Sequence, residues 1–321
     1  MVRLNQMPDG AHVDRRFDQT KHAYAANDLE VIEAAPRYND YIFSIFKPFV
    51  GRRVLEVGAG IGTMSRKLVR SADLVIGIEP NANCAARLAA AMRSEPKFRI
   101  ESRHLEECDP GELRQERLDT VYCTNVLEHI EDDVAALKMF NDAIVPGGHV
   151  LIYVPAIQAA YGPIDAELGH HRRYSKRTLA AAFAAADLEL VRLRYANPIG
   201  LIGWMYNSHI AKARHHNLEQ VRLFERFVAP WALPLERLIP PPIGSSLVAV
   251  GRKTTALTTN TQATQATQAT QATQATQATQ ATQATQATQA TQATQATQAT
   301  QATQATQATQ ATQATQATQA T

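Results

Sequence analysis

Several residues in this sequence have the types and spacing to do chemistry. Gly58, Gly60 and Gly62 stand at alternate positions after an apolar run, Val54, Leu55 and Val57, with Glu56 two places before the first glycine. Glycines suit a turn that a ligand must approach, because they accept positive φ and offer bare backbone. A carboxylate at Glu56 suits an ammonium group and repels a pyrophosphate. Glu79 follows about twenty residues later, at the end of a second apolar run, where an acid can accept from both hydroxyls of an adenosine ribose. Further on, the stretch from Tyr161 to Ser175 gathers Tyr161, Asp165, His170, His171, Arg172, Arg173 and Tyr174. These are side chains able to move protons and to hold a polar substrate.

The elements that position these residues follow from the apolar pattern. Strand, glycine turn and helix (Met64 to Ser71) form the opening unit of a doubly wound α/β sheet. Further strands are expected at Leu74 to Ile78, Phe98 to Arg103, Leu118 to Thr124, His149 to Val154, Leu188 to Tyr195 and Ser246 to Arg252. Helices are expected at Asn81 to Arg93 and at Lys176 to Ala186, the latter with Ser175 as N-cap. Ahead of the first strand, Tyr38, Tyr41, Ile42, Ile45 and Phe46 share one helical face. The last two strands are separated by Ala196 to Gly244, far more than a hairpin needs, and this reads as a helical insertion. Its apolar start (Pro198, Ile199, Leu201, Ile202, Trp204, Met205, Tyr206) suits a cap on the domain, with a greasy acceptor or shallow membrane contact as the alternative.

The run VLEVGAGIG resembles the first motif of class I S-adenosylmethionine-dependent methyltransferases. NVLEH after the fourth strand, the turn Pro146-Gly147-Gly148 before the fifth, and a G-H-x-R-R-Y-S pattern known from a bacterial branch of that superfamily extend the resemblance. It implies a Rossmann-like, seven-stranded, mostly parallel sheet with helices on both faces and an antiparallel last strand. It also implies S-adenosylmethionine as cofactor, with Glu56 at the methionine amine and Gly58, Ala59, Gly60 and Gly62 in close backbone approach. Glu79 and Pro80 would lie at the ribose, and Asn125 and Val126 at the reactive end. At the adenine the candidates are Glu106, Glu107 and Asp109 as acceptors, with His104 in the usual acidic slot, and Leu105 by packing or by its backbone N–H. Tyr38 and Tyr41 would serve as a partial lid, or simply as core.

On the acceptor side, His170 or His171 is the candidate base for an oxygen nucleophile, and Tyr161, Asp165, Arg173 and Tyr174 are the candidate substrate contacts. The bland alternative is that this loop pairs its own charges. Glu128 and His129 serve equally as capping residues or at the substrate side. The acceptor is expected to be a small molecule, lipid-linked or glycan-type. Ubiquinone-biosynthesis O-methyltransferases share the general motif set, which favours a phenolic oxygen. A catalytically silent cofactor-binding module and an NAD-dependent oxidoreductase are the rival readings. Against the second stand Glu56 and the G-x-G-x-G spacing, since dinucleotide folds use G-x-G-x-x-G.

Histidines occur as adjacent pairs, His170-His171 and His215-His216, and sequence neighbours point apart. No metal site is therefore expected, for Glu128 and His129 no more than for these. The chain has 321 residues and a net charge of +2, too small to argue for nucleic acid. Its three cysteines lack C-x-x-C spacing, and no secretory or membrane-spanning apolar run occurs, so a cytoplasmic protein is expected. The domain reads as 21–253, after a polar segment 1–20. The tail reads as 254–321, from Thr261 a pure Thr-Gln-Ala repeat without charge or large apolar residue, and disorder is expected there.

Overall fold

A computed structural model describes residues 31, 33–213, 215, 217–254 and 291–309. The polar segment 1–20, the start of the helical pattern at 21–30 and His216 lie outside the described residues. The chain divides into two units, Met1–Thr255 and Ala256–Thr321, each described by itself.

In the first unit the order is α1 (Pro36–Phe46), β1 (Arg53–Val57), α2 (Ser65–Leu68), β2 (Leu74–Ile78), α3 (Ala82–Ala91), β3 (Phe98–Glu101), α4 (Pro110–Gln115) and β4 (Leu118–Thr124). Then come α5 (Asp133–Ala143), β5 (Ile144–Pro155), α6 (Pro163–Leu168), α7 (Lys176–Ala185), β6 (Leu188–Ala196), α8 (Pro198–Met205), α9 (Leu218–Leu223), α10 (Ala229–Leu238) and β7 (Ser246–Lys253). The sheet runs β3-β2-β1-β4-β5-β7-β6. Strands β1 to β5 pair in parallel, and β7 runs antiparallel between β5 and β6. This is the expected Rossmann-like sheet. The strand order reverses between β1 and β4, and such a switch point opens a crevice at the carboxyl ends of the strands.

Both sheet faces are covered, which is why the central strands read as nearly continuous apolar runs. On one face Leu55, Val57, Val121 and Ile152 meet Leu113, Leu137, Phe140 and Phe183 from α4, α5 and α7. On the other, Val54, Val75, Tyr122 and Leu151 meet Tyr41, Ile45, Phe46, Leu68 and Leu88 from α1, α2 and α3. Tyr41 is fully buried in that cluster, and the half-buried Tyr38 hydroxyl meets the Tyr153 hydroxyl at 2.6 Å. The pair is core, so the lid role falls away.

Two expected boundaries shift. The Pro146-Gly147-Gly148 turn sits inside β5, as an irregularity between the Leu118–Ile144 and Thr120–His149 pairs, with Gly147 at φ 81°. Glu128 and His129 lie in a 3-10 turn, Leu127–His129, and α5 starts only after Asp132, whose carboxylate accepts from the Ala135 N–H.

The stretch between β6 and β7 is helical, with π-helical turns at Tyr206–Ile210 and Phe224–Val228. Two buried acids tie it to the domain. Glu225 accepts from the Arg37 and Tyr38 N–H groups at the start of α1, where a helix dipole favours negative charge. Glu236 accepts from the Tyr41 hydroxyl and the Asn197 N–H. The opposite side carries Leu223, Phe227, Trp231, Leu235 and Leu238, each more than half exposed, at the i, i+4 and i, i+3 spacings of one face. Arg222, Arg226 and Arg237 are exposed on the same stretch. Among the described residues no helix is long and apolar enough to cross a membrane.

In the second unit, 291–309 is α-helical and exposed throughout, where disorder was expected. Glutamine and alanine are good helix formers, and the threonine hydroxyls turn inward: Thr297, Thr300, Thr303, Thr306 and Thr309 each donate to the alanine carbonyl four residues earlier, at 2.9–3.0 Å.

Candidate functional site

The glycine turn follows β1 at the switch point. Gly58, Gly60 and Gly62 all adopt positive φ, at 71°, 57° and 89°. The turn is stitched to β2 through the Gly58 and Ala59 N–H groups, which donate to the Ile78 carbonyl at 2.9 and 3.0 Å. A Cβ at Gly58 would collide with the Val126 side chain. The turn and the end of β4 therefore approach as closely as bare backbone allows.

Glu56 points to the α2 side of β1, where its carboxylate accepts from the Ser65 hydroxyl at 2.6 Å. At 3 % exposure its pKa is pushed up to about 8, by burial first and also by the charge of Glu79, with the Ser65 bond opposing. Ser65 is a partner the sequence reading missed; its nine-residue offset, across the glycine turn, is the signal. Glu79 lies at the mouth of β2, accepting from the Gly60 N–H at 2.7 Å and the Asn81 N–H at 2.9 Å. Each carboxylate oxygen keeps lone pairs for a further donor. Burial raises its pKa as well.

A raised carboxyl pKa links stability to pH. In the ligand-free fold Glu56 holds its proton up to about pH 8, whereas the unfolded chain releases it near 4.5. The native state thus binds more protons between those values, and stability falls as pH rises through that window. Its contribution is complete below about pH 4.5, is lost above about 8, and is on the order of 5 kcal/mol. Thermal melts of the ligand-free protein at pH 5, 6.5 and 8 should show a falling midpoint and a shallower fall in Glu56→Gln. A midpoint that rises with pH and is unchanged by the substitution would contradict the buried carboxyl.

The remaining expected cofactor residues occupy the same edge. Asn125 is exposed at φ 52°, and its N–H donates to the Tyr153 carbonyl at 2.8 Å. Val126 is half-buried against Gly58, and Pro80 is exposed. Leu105 is only 6 % exposed and belongs to the core cluster with Val57 and Ile78, which leaves its backbone rather than its side chain for an adenine.

On the acceptor side, the residues expected to contact a substrate make internal contacts in the structure. Asp165 and Arg173 form a buried ion pair, Nε to Oδ1 at 2.8 Å, with both side chains at most 1 % exposed. Arg173 also donates to the Ala156 carbonyl at 3.2 Å and lies over the Trp204 ring at 4.2 Å. Tyr174 is 1 % exposed and donates to Asp133 at 2.7 Å, pinning the loop to α5. These groups close the loop on the domain. Half-buried Tyr161 donates to the His170 carbonyl at 2.8 Å.

The two histidines differ. The His170 ring meets Asp165 Oδ1 through Nδ1 at 2.8 Å and stands edge-to-face with His129 at 4.6 Å between ring centres. His171 is exposed, and its backbone N–H donates to the Glu128 carbonyl. Against the burial that would raise it, the bonds from His170 and Arg173 hold Asp165 below the usual carboxylate range. Adjacency in sequence does not separate Glu128 from His129 here. The 3-10 turn brings ligand atoms of Glu128, His129 and His170 within 4.8 Å of one another.

The first helix of the insertion leans on this loop. Trp204 Nε1 donates to the Ala160 carbonyl at 2.9 Å, and His209 Nε2 lies 3.0 Å from the Ala159 carbonyl.

Residues 28–193 match the methyltransferase domain family. Among curated relatives, a ubiquinone biosynthesis O-methyltransferase of Alkalilimnicola ehrlichii is 29 % identical over 112 residues, 35 % of this chain and 45 % of that protein. One of Bradyrhizobium sp. is 31 % identical over 103 residues, 32 % of this chain and 39 % of that protein. The chain thus spans less than half the length of these relatives. A chain from the complex of the Haloferax volcanii Trm112 methyltransferase activator with a methyltransferase aligns at TM-score 0.52 and 13 % identity, covering 73 % of this chain and 98 % of that one, and shows the shared fold.

Proposed function

Because the chain belongs to the methyltransferase domain family, we propose that it moves a methyl group from S-adenosylmethionine to an oxygen of a small acceptor bearing an apolar or lipid-linked tail. The observation that carries this reading is Glu56, a buried carboxylate beside a turn of three glycines at positive φ, at the switch point of the sheet. The residues fit the cofactor. Glu56 would take its amine, Gly58, Ala59, Gly60 and Gly62 would meet it with backbone, Glu79 beside Pro80 would accept from the ribose diol, and Asn125 and Val126 would border its reactive end. A diphosphate would meet the Glu56 carboxylate in the same place, which weighs against NAD.

The cofactor, when bound, supplies a methyl group already activated on sulfonium. What the protein adds is orientation, exclusion of water and management of one proton. His170 is suited to the last task, since Asp165 holds its Nδ1 and leaves Nε2 for the hydroxyl proton of an acceptor. Asp165 is a positioning residue, itself fixed by Arg173.

The relatives named for ubiquinone biosynthesis support an oxygen acceptor of phenolic type. The exposed apolar face over Leu223, Phe227, Trp231, Leu235 and Leu238, flanked by arginines, supports an acceptor that carries a long apolar chain. Incubation with S-adenosylmethionine labelled at the methyl group, against alkylated catechols, short-chain catechols and glycans, tests the reading. The expected result is an O-methylated catechol, formed faster with the alkyl chain present. Binding of cofactor with no labelled product from any acceptor would instead identify a silent module.

A further inference from the structure

We propose that Glu128, His129 and His170 form a binding site for one divalent transition ion of the zinc type, beside the reactive end of the cofactor crevice. The inference rests on the methyltransferase reading only for what lies next to the ion.

Three observations carry it. The ligand atoms of the three residues lie within 4.8 Å of one another, and they come from two separate segments, the turn after β4 and the loop after α6. Convergence of two segments is what fixes an ion's geometry rather than merely attracting counter-ions. The second observation is the Glu128 carboxylate. It is wholly buried and rests against its own backbone N–H without a partner of hydrogen-bond geometry among the described residues. A buried polar group left without a partner is costly, and a cation is the partner that would satisfy a carboxylate best. The nearby guanidinium of Arg173 already serves Asp165.

The third is the support behind His170. Metal-bound histidines generally give their other ring nitrogen to a carboxylate, which fixes ring and tautomer. The His170–Asp165 contact at 2.8 Å has this form, and Arg173 fixes Asp165 in turn. Nε2 of His170 is then the nitrogen for an ion. Two imidazoles and one carboxylate form a ligand set that zinc accepts while keeping a position for another oxygen. Such ligands sit roughly 3.3 Å apart around the ion, so the group must tighten, and the His129 ring, now bonded to the Leu168 backbone, must turn to join it. An acceptor hydroxyl at the open position would give up its proton to bulk water more readily, and His170 would then act as ligand rather than base.

Cobalt(II) is the probe, because its visible ligand-field bands report nitrogen and oxygen ligands where zinc is silent. The full chain, stripped with a chelator, is titrated with Co2+, then challenged with Zn2+. Saturation at one equivalent, displacement by Zn2+, and at least about tenfold weaker binding in Glu128→Gln, His129→Ala and His170→Ala are expected, with His171→Ala within about twofold of the unsubstituted chain. His129→Ala removes an exposed ring and leaves the core intact, so its result stands even where a buried substitution disturbs folding. No saturable binding by the unsubstituted chain, or binding that survives all three substitutions, overturns the site. Calorimetry with S-adenosylmethionine on the same samples separates this failure from failure of the methyltransferase reading, since none of the three residues is assigned to the cofactor.

Discussion

His170→Ala should lower turnover about a thousandfold and leave S-adenosylmethionine affinity within about twofold. The ring is oriented by Asp165 and stands edge-to-face with His129, and it belongs to none of the groups that line the glycine turn. Its loss removes either the group that takes the acceptor's proton or a ligand to the ion that acidifies it. Both lie in the chemical step, so kcat falls while cofactor binding persists. His171→Ala, whose ring is exposed, should change kcat less than about threefold. Steady-state kinetics with the best acceptor, paired with calorimetry, decides the matter. Equal effects of the two substitutions, or loss of cofactor binding in His170→Ala, would make the histidine pair structural.

Gly58→Val should weaken S-adenosylmethionine binding by at least about a thousandfold, some 4 kcal/mol. Two costs add at this position. A β-branched residue at φ 71° is strained by about 1–2 kcal/mol, and its Cβ falls on the Val126 side chain, an overpacking of about 1–3 kcal/mol more. The turn can relieve both only by opening, which withdraws backbone from the crevice and parts it from β4. Circular dichroism should retain most of the helical signal, because α4, α5 and α7 pack on the other face of the sheet, in a cluster that contains no residue of this turn. Undiminished cofactor affinity in the variant would show that the turn is not the cradle.

Much of the sheet could be read from the sequence because its central strands are buried on both faces. Leu74–Ile78 and Leu118–Thr124 leave no polar face to confuse the pattern, and both have the expected ends. The Pro146-Gly147-Gly148 segment reads locally as a turn, yet flanking pairs with β4 draw it into one long strand. The glycine turn was legible because positive φ leaves its mark in residue type at Gly58, Gly60 and Gly62.

The acceptor side was legible only as a concentration of polar groups. Composition cannot tell a charge that meets a substrate from one that meets its own loop, and Asp165, Arg173 and Tyr174 are all held by partners within the domain. Glu128 and His129 were set aside as neighbours that point apart, a rule for regular helices and strands that a 3-10 turn escapes. The ion site depends on a contact between β4's turn and a loop some forty residues later, and no local pattern encodes it. In the repeat, the helix propensity of alanine and glutamine favours helix in 291–309, a term that periodicity of apolar residues does not register.

Calorimetry of the purified chain with S-adenosylmethionine, S-adenosylhomocysteine and NAD bears most directly on the claim that Glu56 and the glycine turn seat a methyl donor. One-to-one binding of the first two, weakened at least about tenfold in Glu56→Ala, with no heat from NAD, is the outcome expected. Binding of NAD, or silence from all three ligands at millimolar concentration, would contradict it.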